Sequence, residues 1–290
     1  MPSTPQLPHY AVIGNPVSHS RSPRIHALFA AATGQQIVYD RLPAPLDGFA
    51  ATVRAFRAAG GLGLSVTVPF KLECLALADV ASARAGWAGA ANTLAWHDDH
   101  WYADNTDGAG LLNDFARNLA IDIKGHEVLI LGAGGAARGI LGPLLAHAPH
   151  SLTIVNRTHD KAVALASLFA PSAAEPASVL AVPVAELRGR KFDLVINSTS
   201  ASLTPADAGH PHGVSPWPDG LFAPGALAYD LMYATEPTSF LRWAAGQGAA
   251  RCADGLGMLV EQAALQFELW RGVLPATAPV LAQLRAEIRA

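Results

Sequence analysis

Apolar positions along this chain alternate between the spacing of strands and that of helices. Residues 10–13 form a short apolar run ending at Gly14-Asn15-Pro16, which predicts a strand running into a loop. Ser22-Pro23 opens a helix through Ala32, with Ser22 expected at the cap and Pro23 at the first helical position. Residues 37–42 predict a second strand. Phe49, Val53 and Phe56 fall on one helical face, and Gly60-Gly61 ends that helix. Residues 62–68 predict a third strand, stopped by Pro69, and shorter strands are expected at 93–96 and 101–103. An order βαβαβ implies a parallel sheet, because parallel strands need crossovers.

A second unit begins near Asp107. Residues 110–119 read as a connecting helix. A continuous apolar strand, 126–131, leads into Gly132-Ala133-Gly134-Gly135-Ala136-Ala137-Arg138-Gly139, and a helix follows to about His147. A strand at 152–155, a helix at 158–169 and strands at 192–197 and 227–231 complete a doubly wound pattern. Residues 205–218 are rich in Pro, Gly, His and Asp and read as a loop. Residues 258–270 and 280–288 predict two closing helices. The expected fold is α/β in two domains. One is an N-terminal parallel-sheet substrate domain made of 1–107 plus 256–290; the other is a Rossmann-type dinucleotide-binding domain over 108–255.

Composition narrows the function classes. Of 290 residues, 51% are hydrophobic and 15% charged, which suits a buried core and argues against disorder. The net charge of −3 is spread over both signs, so no nucleic-acid-binding stripe is expected. Two cysteines without a CxxC cannot build a disulfide framework and fit a reducing compartment. The N-terminus lacks the pattern of a signal peptide, and no apolar run reaches spanning length, so a cytoplasmic protein with no membrane partner is expected. Monomer and homodimer both stay open. His210-Pro211-His212 reads as a surface loop. Without HExxH or a Cys/His cluster, no metal is expected.

Gly132-x-Gly134-x-x-Ala137 between a strand and a helix is a dinucleotide signature in its proper setting. Gly132 permits the tight turn, Gly134 lets backbone N–H groups approach a pyrophosphate, and Ala137 lets helix and strand pack closely. The helix N-terminus offers unpaired donors to the anion. A tight turn in an α/β protein that binds no nucleotide is the bland reading. The end of the next strand separates cofactors. An NAD site places Asp or Glu there for the ribose hydroxyls. This chain has Asn156-Arg157-Thr158 and then Lys161, a neutral amide and two bases that suit a 2′-phosphate and hence NADP(H).

Further chemistry lies in the segments Gly14-Asn15-Pro16-Val17-Ser18-His19-Ser20-Arg21-Ser22-Pro23, Val66-Thr67-Val68-Pro69-Phe70-Lys71, Ala91-Asn92-Thr93, Asp104-Asn105-Thr106-Asp107-Gly108 and Gly255-Leu256-Gly257-Met258-Leu259-Val260-Glu261-Gln262. Ser20, Ser22, Thr67 and Asn92 fall in loops or at strand ends, where they suit a polyhydroxylated or carboxylated ring; each alone is equally a cap or turn residue. Lys71 is expected at a loop-to-helix junction and Asp107 in the first turn of a helix. As a pair they could serve a reacting oxygen by proton transfer; apart, they are a surface lysine and a helix-start acid.

Taken together and in order, these motifs resemble the shikimate dehydrogenase family, including its relatives acting on quinate. The resemblance spans nearly the whole chain. It implies NADPH-dependent reduction of 3-dehydroshikimate to shikimate, with Lys71 and Asp107 catalytic. It implies that Ser20, Ser22, Thr67, Asn92, Tyr233 and Gln262 bind substrate. The cofactor would lie on Gly132, Ala133, Gly134, Gly135, Ala136, Asn156, Arg157, Thr158, Lys161, Leu231 and Gly255, with Gly255 beside the nicotinamide. Ser65 stands where the family has Asn, which is expected to alter a hydrogen bond near Thr67, and Ser202 stands where Gly is common. Alternatives are a quinate/shikimate enzyme using NAD, a nonenzymatic NADPH sensor, and a methylene-tetrahydrofolate dehydrogenase.

Overall fold

The computed structural model describes residues 7–170, 178–199 and 217–289. The chain divides into two compact units, Met1–Leu111 with Leu259–Ala286, and Leu112–Met258 with Glu287–Ala290. The divisions at 111/112 and 258/259 fall inside helices, downstream of the sequence boundaries at 107/108 and 255/256. Helical periodicity runs straight through such points, so no change of composition marks them.

The first unit opens with β1 (His9–Gly14), α1 (Ser22–Thr33), β2 (Val38–Pro43), α2 (Phe49–Ala58) and β3 (Gly61–Val66). These strands pair in parallel as β2-β1-β3. Next come α3 (Lys71–Leu77), β4 (Val80–Ala81), α4 (Ala83–Ala88), β5 (Thr93–His97) and β6 (His100–Asp104), and the sheet order is β2-β1-β3-β5-β6-β4. β5 runs antiparallel to both β3 and β6. Asp98 and Asp99 have φ of 45° and 62°, the left-handed pair that a two-residue hairpin turn requires. The sheet is therefore parallel over the βαβαβ segment and mixed beyond it. Ile13, Phe49, Val53, Phe56, Leu64, Phe70 and Trp101 pack one core beneath it.

The second unit starts within α5 (Asp107–Asp114), which widens into a π-helical turn at Phe115–Leu119. It continues through β7 (Glu127–Leu131), α6 (Gly135–Ala146), β8 (Ser151–Val155), α7 (His159–Phe169), β9 (Ser178–Ala181), β10 (Phe192–Asn197), β11 (Phe222–Asp230), α8 (Ser239–Gly246) and β12 (Arg251–Asp254). All its strands are parallel, in the order β12-β11-β10-β7-β8-β9, the doubly wound order of dinucleotide-binding folds. Tyr229 on β11 donates a 2.6 Å hydrogen bond to the buried Asp114 and so ties that strand to the end of α5. The chain closes with α9 (Leu256–Arg271) and α10 (Ala278–Arg289). The loop expected over 205–218, apart from its last two positions, lies outside the described residues, as does Ser202. No helix among the described residues is long and apolar enough to cross a membrane.

One cap differs from expectation. Arg21, not Ser22, is the N-cap of α1, and no side chain caps that end. The Ser22 N–H goes to the Ser20 hydroxyl at 3.2 Å, which folds the two serines onto each other and leaves the Ser22 side chain off the helix end. On the same helix, His26 is fully buried. It stacks on Tyr39, centroids 4.2 Å apart, and lies near Phe29, Phe267 and Trp270. Burial drives its pKa from 6.5 to about 3, a fall that the neighbouring Gln266 amide partly opposes. Neither ring nitrogen has a partner in bonding geometry among the described residues.

Because the folded value lies below the unfolded one, the imidazole destabilises nothing above pH 6.5 and increasingly favours unfolding as pH falls toward 3. Between pH 7 and pH 5 this group should remove about 2 kcal/mol of stability. His26→Phe should show a correspondingly shallower acid dependence in urea unfolding. Equal pH slopes in the two proteins would remove His26 as the source.

Candidate active site

Topology gathers the first unit's polar groups on one edge of its sheet. β1 feeds β2 on one side and β3 lies on the other, so the β1/β3 boundary is a switch point, and loops leaving the carboxyl ends of such strands diverge to open a crevice. The loop after β1 carries Ser20, and Ser22 opens α1 just beyond it; the segment after β3 carries Thr67 and Lys71. β5 is antiparallel, so its amino end lies at this edge, with Thr93 opposite Ser65 and opposite Asp104. That register brings Asn92 and the Asp104–Asp107 segment to the same place.

Lys71 is the first residue of α3 and Asp107 the first of α5. Their side chains meet at 2.5 Å, with 16% and 8% of each exposed. The other Asp107 oxygen accepts from Asn92 Nδ2 at 2.8 Å. Asn92 Nδ2 also faces Gln262 Oε1 at 3.2 Å, while Gln262 Nε2 is held by the Leu259 carbonyl. Lys71, Asn92, Asp107 and Gln262 thus form one contiguous cluster. Ser20 and Ser22 form a second polar pair, their hydroxyls 3.2 Å apart. Thr67 holds its loop through backbone bonds, N–H to Ile13 and carbonyl to Phe70 N–H. One turn after Lys71, Cys74 is fully buried. Burial pushes its thiol far above the ordinary range against the opposing Lys71 charge, so it is an inert core group.

Further residues support the pair without standing out in sequence. Asp104 is buried and takes hydrogen bonds from Arg84 Nε and Ser82 Oγ, each at 2.6 Å, and from Asn105 N–H at 2.7 Å. Asn105 in turn accepts the Asp107 N–H at 3.2 Å and donates to the Ala90 carbonyl. The Arg84–Asp104 pair therefore anchors the loop that presents Asp107. Spacing within Asp104-Asn105-Thr106-Asp107 could have suggested an Asx-type loop; Arg84 left no such signal. Ser65 bonds to Tyr39 and Gln266.

In the second unit, Gly132 follows β7 at its switch point with β10. Its φ is 110°, and a Cβ there would lie 2.6 Å from Ser198 Oγ, so only glycine fits. Gly134 caps α6 with extended backbone, and neither Gly134 nor Gly135 has an atom within 4 Å of where a Cβ would stand. Ala133 and Ala136 are half-buried and Ala137 is buried. This is an open cradle at a helix N-terminus, shaped for a pyrophosphate. At the end of β8, Asn156 bonds the Thr158 carbonyl, Thr158 starts α7, and Arg157 and Lys161 are exposed. Leu231 donates to Asn197, and Gly255 donates to Met232; a Gly255 Cβ would lie 2.2 Å from the Leu231 carbonyl oxygen. Tyr233 also belongs to this second unit, half-buried in the loop after β11. Among the described residues no group of three or more His, Cys, Asp or Glu side chains comes together as a metal site.

Family profiles match three stretches. Residues 12–94 match the shikimate dehydrogenase substrate binding domain, 114–210 shikimate / quinate 5-dehydrogenase, and 255–285 the shikimate 5′-dehydrogenase C-terminal domain. The chain is 56% identical to shikimate dehydrogenase (NADP(+)) of Alcanivorax borkumensis, over 95% of this chain and 96% of that one. It is 55% identical to the enzyme of the same name from Aromatoleum aromaticum, over 97% and 98%. A structure of an Ael1 enzyme from Pseudomonas putida superposes with a TM-score of 0.84 at 46% identity, covering 96% of this chain and 98% of that one. Shikimate 5-dehydrogenase from Thermus thermophilus, solved with NADP(H) and shikimate, gives 0.82 at 32% identity, covering 97% and 99%.

Gly110 on α5 packs against α9 so closely that a Cβ would lie 2.6 Å from Gln262 Cβ and 2.7 Å from its backbone nitrogen. Because the obstacle includes backbone, Gly110→Ala should cost about 1–3 kcal/mol and displace Gln262 from Asn92. Thermal unfolding with steady-state kinetics checks this; an unchanged Tm and kcat would show that α9 yields freely.

Proposed function

Since this chain belongs to the shikimate dehydrogenase family, we propose that it reduces 3-dehydroshikimate reversibly to shikimate with NADPH, using Lys71 and Asp107 at the reacting oxygen. The observation that carries this reading is the 2.5 Å Lys71–Asp107 contact at the sheet edge that also bears Ser20, Ser22, Thr67 and Asn92. The first unit is the substrate domain and the second the cofactor domain. A cytoplasmic setting suits its two free thiols.

NADP(H) fits the second unit. The Gly132–Ala136 turn would take the pyrophosphate, and Arg157 with Lys161 the 2′-phosphate, beside Asn156 and Thr158. Gly255 lies so close to the Leu231 carbonyl that no side chain fits there, and both would stand beside the bound cofactor. When bound, the cofactor supplies or accepts the hydride. The protein supplies the rest. Ser20 and Ser22 offer adjacent hydroxyls to the ring's polar substituents, and Thr67, Asn92 and Gln262 add donors and acceptors that a substrate lacking the matching oxygens would leave unpaired. Lys71 stabilises the negative charge developing on the ketone oxygen and passes it a proton; in the reverse direction it takes the hydroxyl proton. Asp107 holds the lysine by one oxygen and is itself oriented by Asn92 at the other.

The direct assay follows nicotinamide absorbance with shikimate or quinate and with NADP+ or NAD+. Turnover is expected with shikimate and NADP+, and preference for quinate or NAD+ would favour the relaxed-substrate alternative. Lys71→Ala should lower kcat by roughly 100- to 10,000-fold, the range for a positioned proton donor, with a much smaller change in KM. An unaltered kcat would take Lys71 out of the chemistry. Arg157→Ala should weaken NADPH more than NADH, and equal weakening would contradict its phosphate role.

A further inference from the structure

Three residues outside the site described above connect to it through a hydrogen-bond chain whose polarity the backbone dictates. Gln266 is buried on α9, one turn beyond Gln262. One end of its amide lies 3.2 Å from the Asn92 carbonyl. A carbonyl can only accept, so that end is Nε2, which also donates to Thr93 Oγ1 at 2.9 Å. Oε1 therefore faces Ser65, 2.5 Å away, and the Ser65 hydroxyl must donate to it. Having given its proton to Gln266, the Ser65 oxygen must accept from the Tyr39 phenol at 2.7 Å.

The other end is fixed in the same way. Asn92 Oδ1 receives the Thr106 backbone N–H at 2.9 Å, which can only donate. Oδ1 also accepts the Thr93 hydroxyl at 2.7 Å, and Nδ2 is left pointing at Asp107. Every donor then points the same way, from Tyr39 through Ser65, Gln266, Thr93 and Asn92 to the carboxylate that holds Lys71. The Ser22 hydroxyl adjoins the Tyr39 phenol, so the chain starts beside the serine pair and ends at the lysine–aspartate pair.

We infer that Tyr39, Ser65 and Gln266 are positioning residues for the reaction, acting on Asp107 through Asn92. Aligned hydrogen bonds polarise one another, so each donor upstream strengthens the one that finally meets the carboxylate. They also hold Asn92 in a single amide orientation; flipped, it would set Oδ1 against the Asp107 carboxylate, acceptor against acceptor. The role depends on the polarity of the Ser65 hydroxyl and not on its bulk. This inference rests on the dehydrogenase reading for its kinetic consequence only.

Ser65→Val and Ser65→Thr separate polarity from volume, because the two side chains have nearly equal size and only threonine keeps the hydroxyl. Ser65→Val should lower kcat for shikimate oxidation roughly three- to thirty-fold, the range for residues acting through others, with KM for NADP+ unchanged. Ser65→Thr should recover most of that loss. Tyr39→Phe should lower kcat by less. Added to Ser65→Val it should lower kcat no further, because a serial chain breaks only once. Equal kcat in the Val and Thr variants, or additive losses in the double variant, would overturn the inference. A wild-type protein that fails to oxidise shikimate would instead sink the dehydrogenase reading. NMR of the Asn92 side-chain amide protons decides the inference independently of turnover. Their resonances should move in Ser65→Val and Tyr39→Phe and stay near wild type in Ser65→Thr; unmoved resonances in all three refute it.

Discussion

A lysine and an aspartate in contact at the edge of a sheet, both mostly out of water, form the constraint on which the rest of the first unit turns. Desolvating two charges costs several kcal/mol per ion, and mutual attraction offsets this only when the remaining hydrogen-bond capacity is filled. Here it is filled. Asp107 has Lys71 on one oxygen, Asn92 on the other and Asn105 accepting its own N–H. Such a pair adds little stability relative to an apolar replacement of the same shape. Its value is geometric, since it fixes an ammonium group that can stabilise or protonate an oxyanion. The Arg84–Asp104 bridge, the Asn105 loop and the Gly110 contact each narrow the positions that the pair can take.

Both units solve their placement problem with the same rule of α/β topology. In the first, the switch between β1 and β3 opens the edge where Ser20, Thr67 and Lys71 emerge. In the second, the switch between β7 and β10 sets Gly132 against Ser198. The antiparallel hairpin β5–β6 adds something that the parallel strands cannot. It brings the start of one strand and the end of another to the same sheet edge, so Asn92 and Asp107, fifteen residues apart in the chain (107 − 92), converge on one carboxylate–amide contact.

Sequence periodicity captured the long elements and the glycine turn, where apolar spacing and φ requirements are local. The strand over 192–197 matches its observed limits. The elements it overlooked are short: β4, α4, β9, α8 and β12 have between two and eight residues, too few for a period to declare itself, and β4, β9 and β12 lie at or near exposed sheet edges. Ser22 was misplaced because a Ser-Pro pair signals a helix start but not which of two adjacent residues caps it. Lys71, Asn92, Asp107 and Gln262 were legible from their motifs. The bonds of Ser65 were not, because its partners lie 26 and 201 residues away and a lone serine on a strand carries no sign of either.

What local reading lacks, the satisfaction of buried polar groups supplies. Each hydroxyl and amide between Tyr39 and Asp107 could by itself point either way. Two backbone groups of fixed character, the Asn92 carbonyl and the Thr106 N–H, remove that freedom from the whole set. A buried network with one permitted polarity is stiffer than the sum of its bonds, because reversing any member leaves a neighbour unpaired at a cost of about 1–3 kcal/mol. A serine at position 65 suits this arrangement. Serine has one proton and one accepting oxygen to pass along, which matches a phenol on one side and an amide oxygen on the other. An asparagine carries separate donor and acceptor atoms at the tip of a longer side chain and would need both neighbours to move apart. Ser65 and the position of Tyr39 are therefore parts of one arrangement, and the orientation of Asn92 at the carboxylate depends on them jointly.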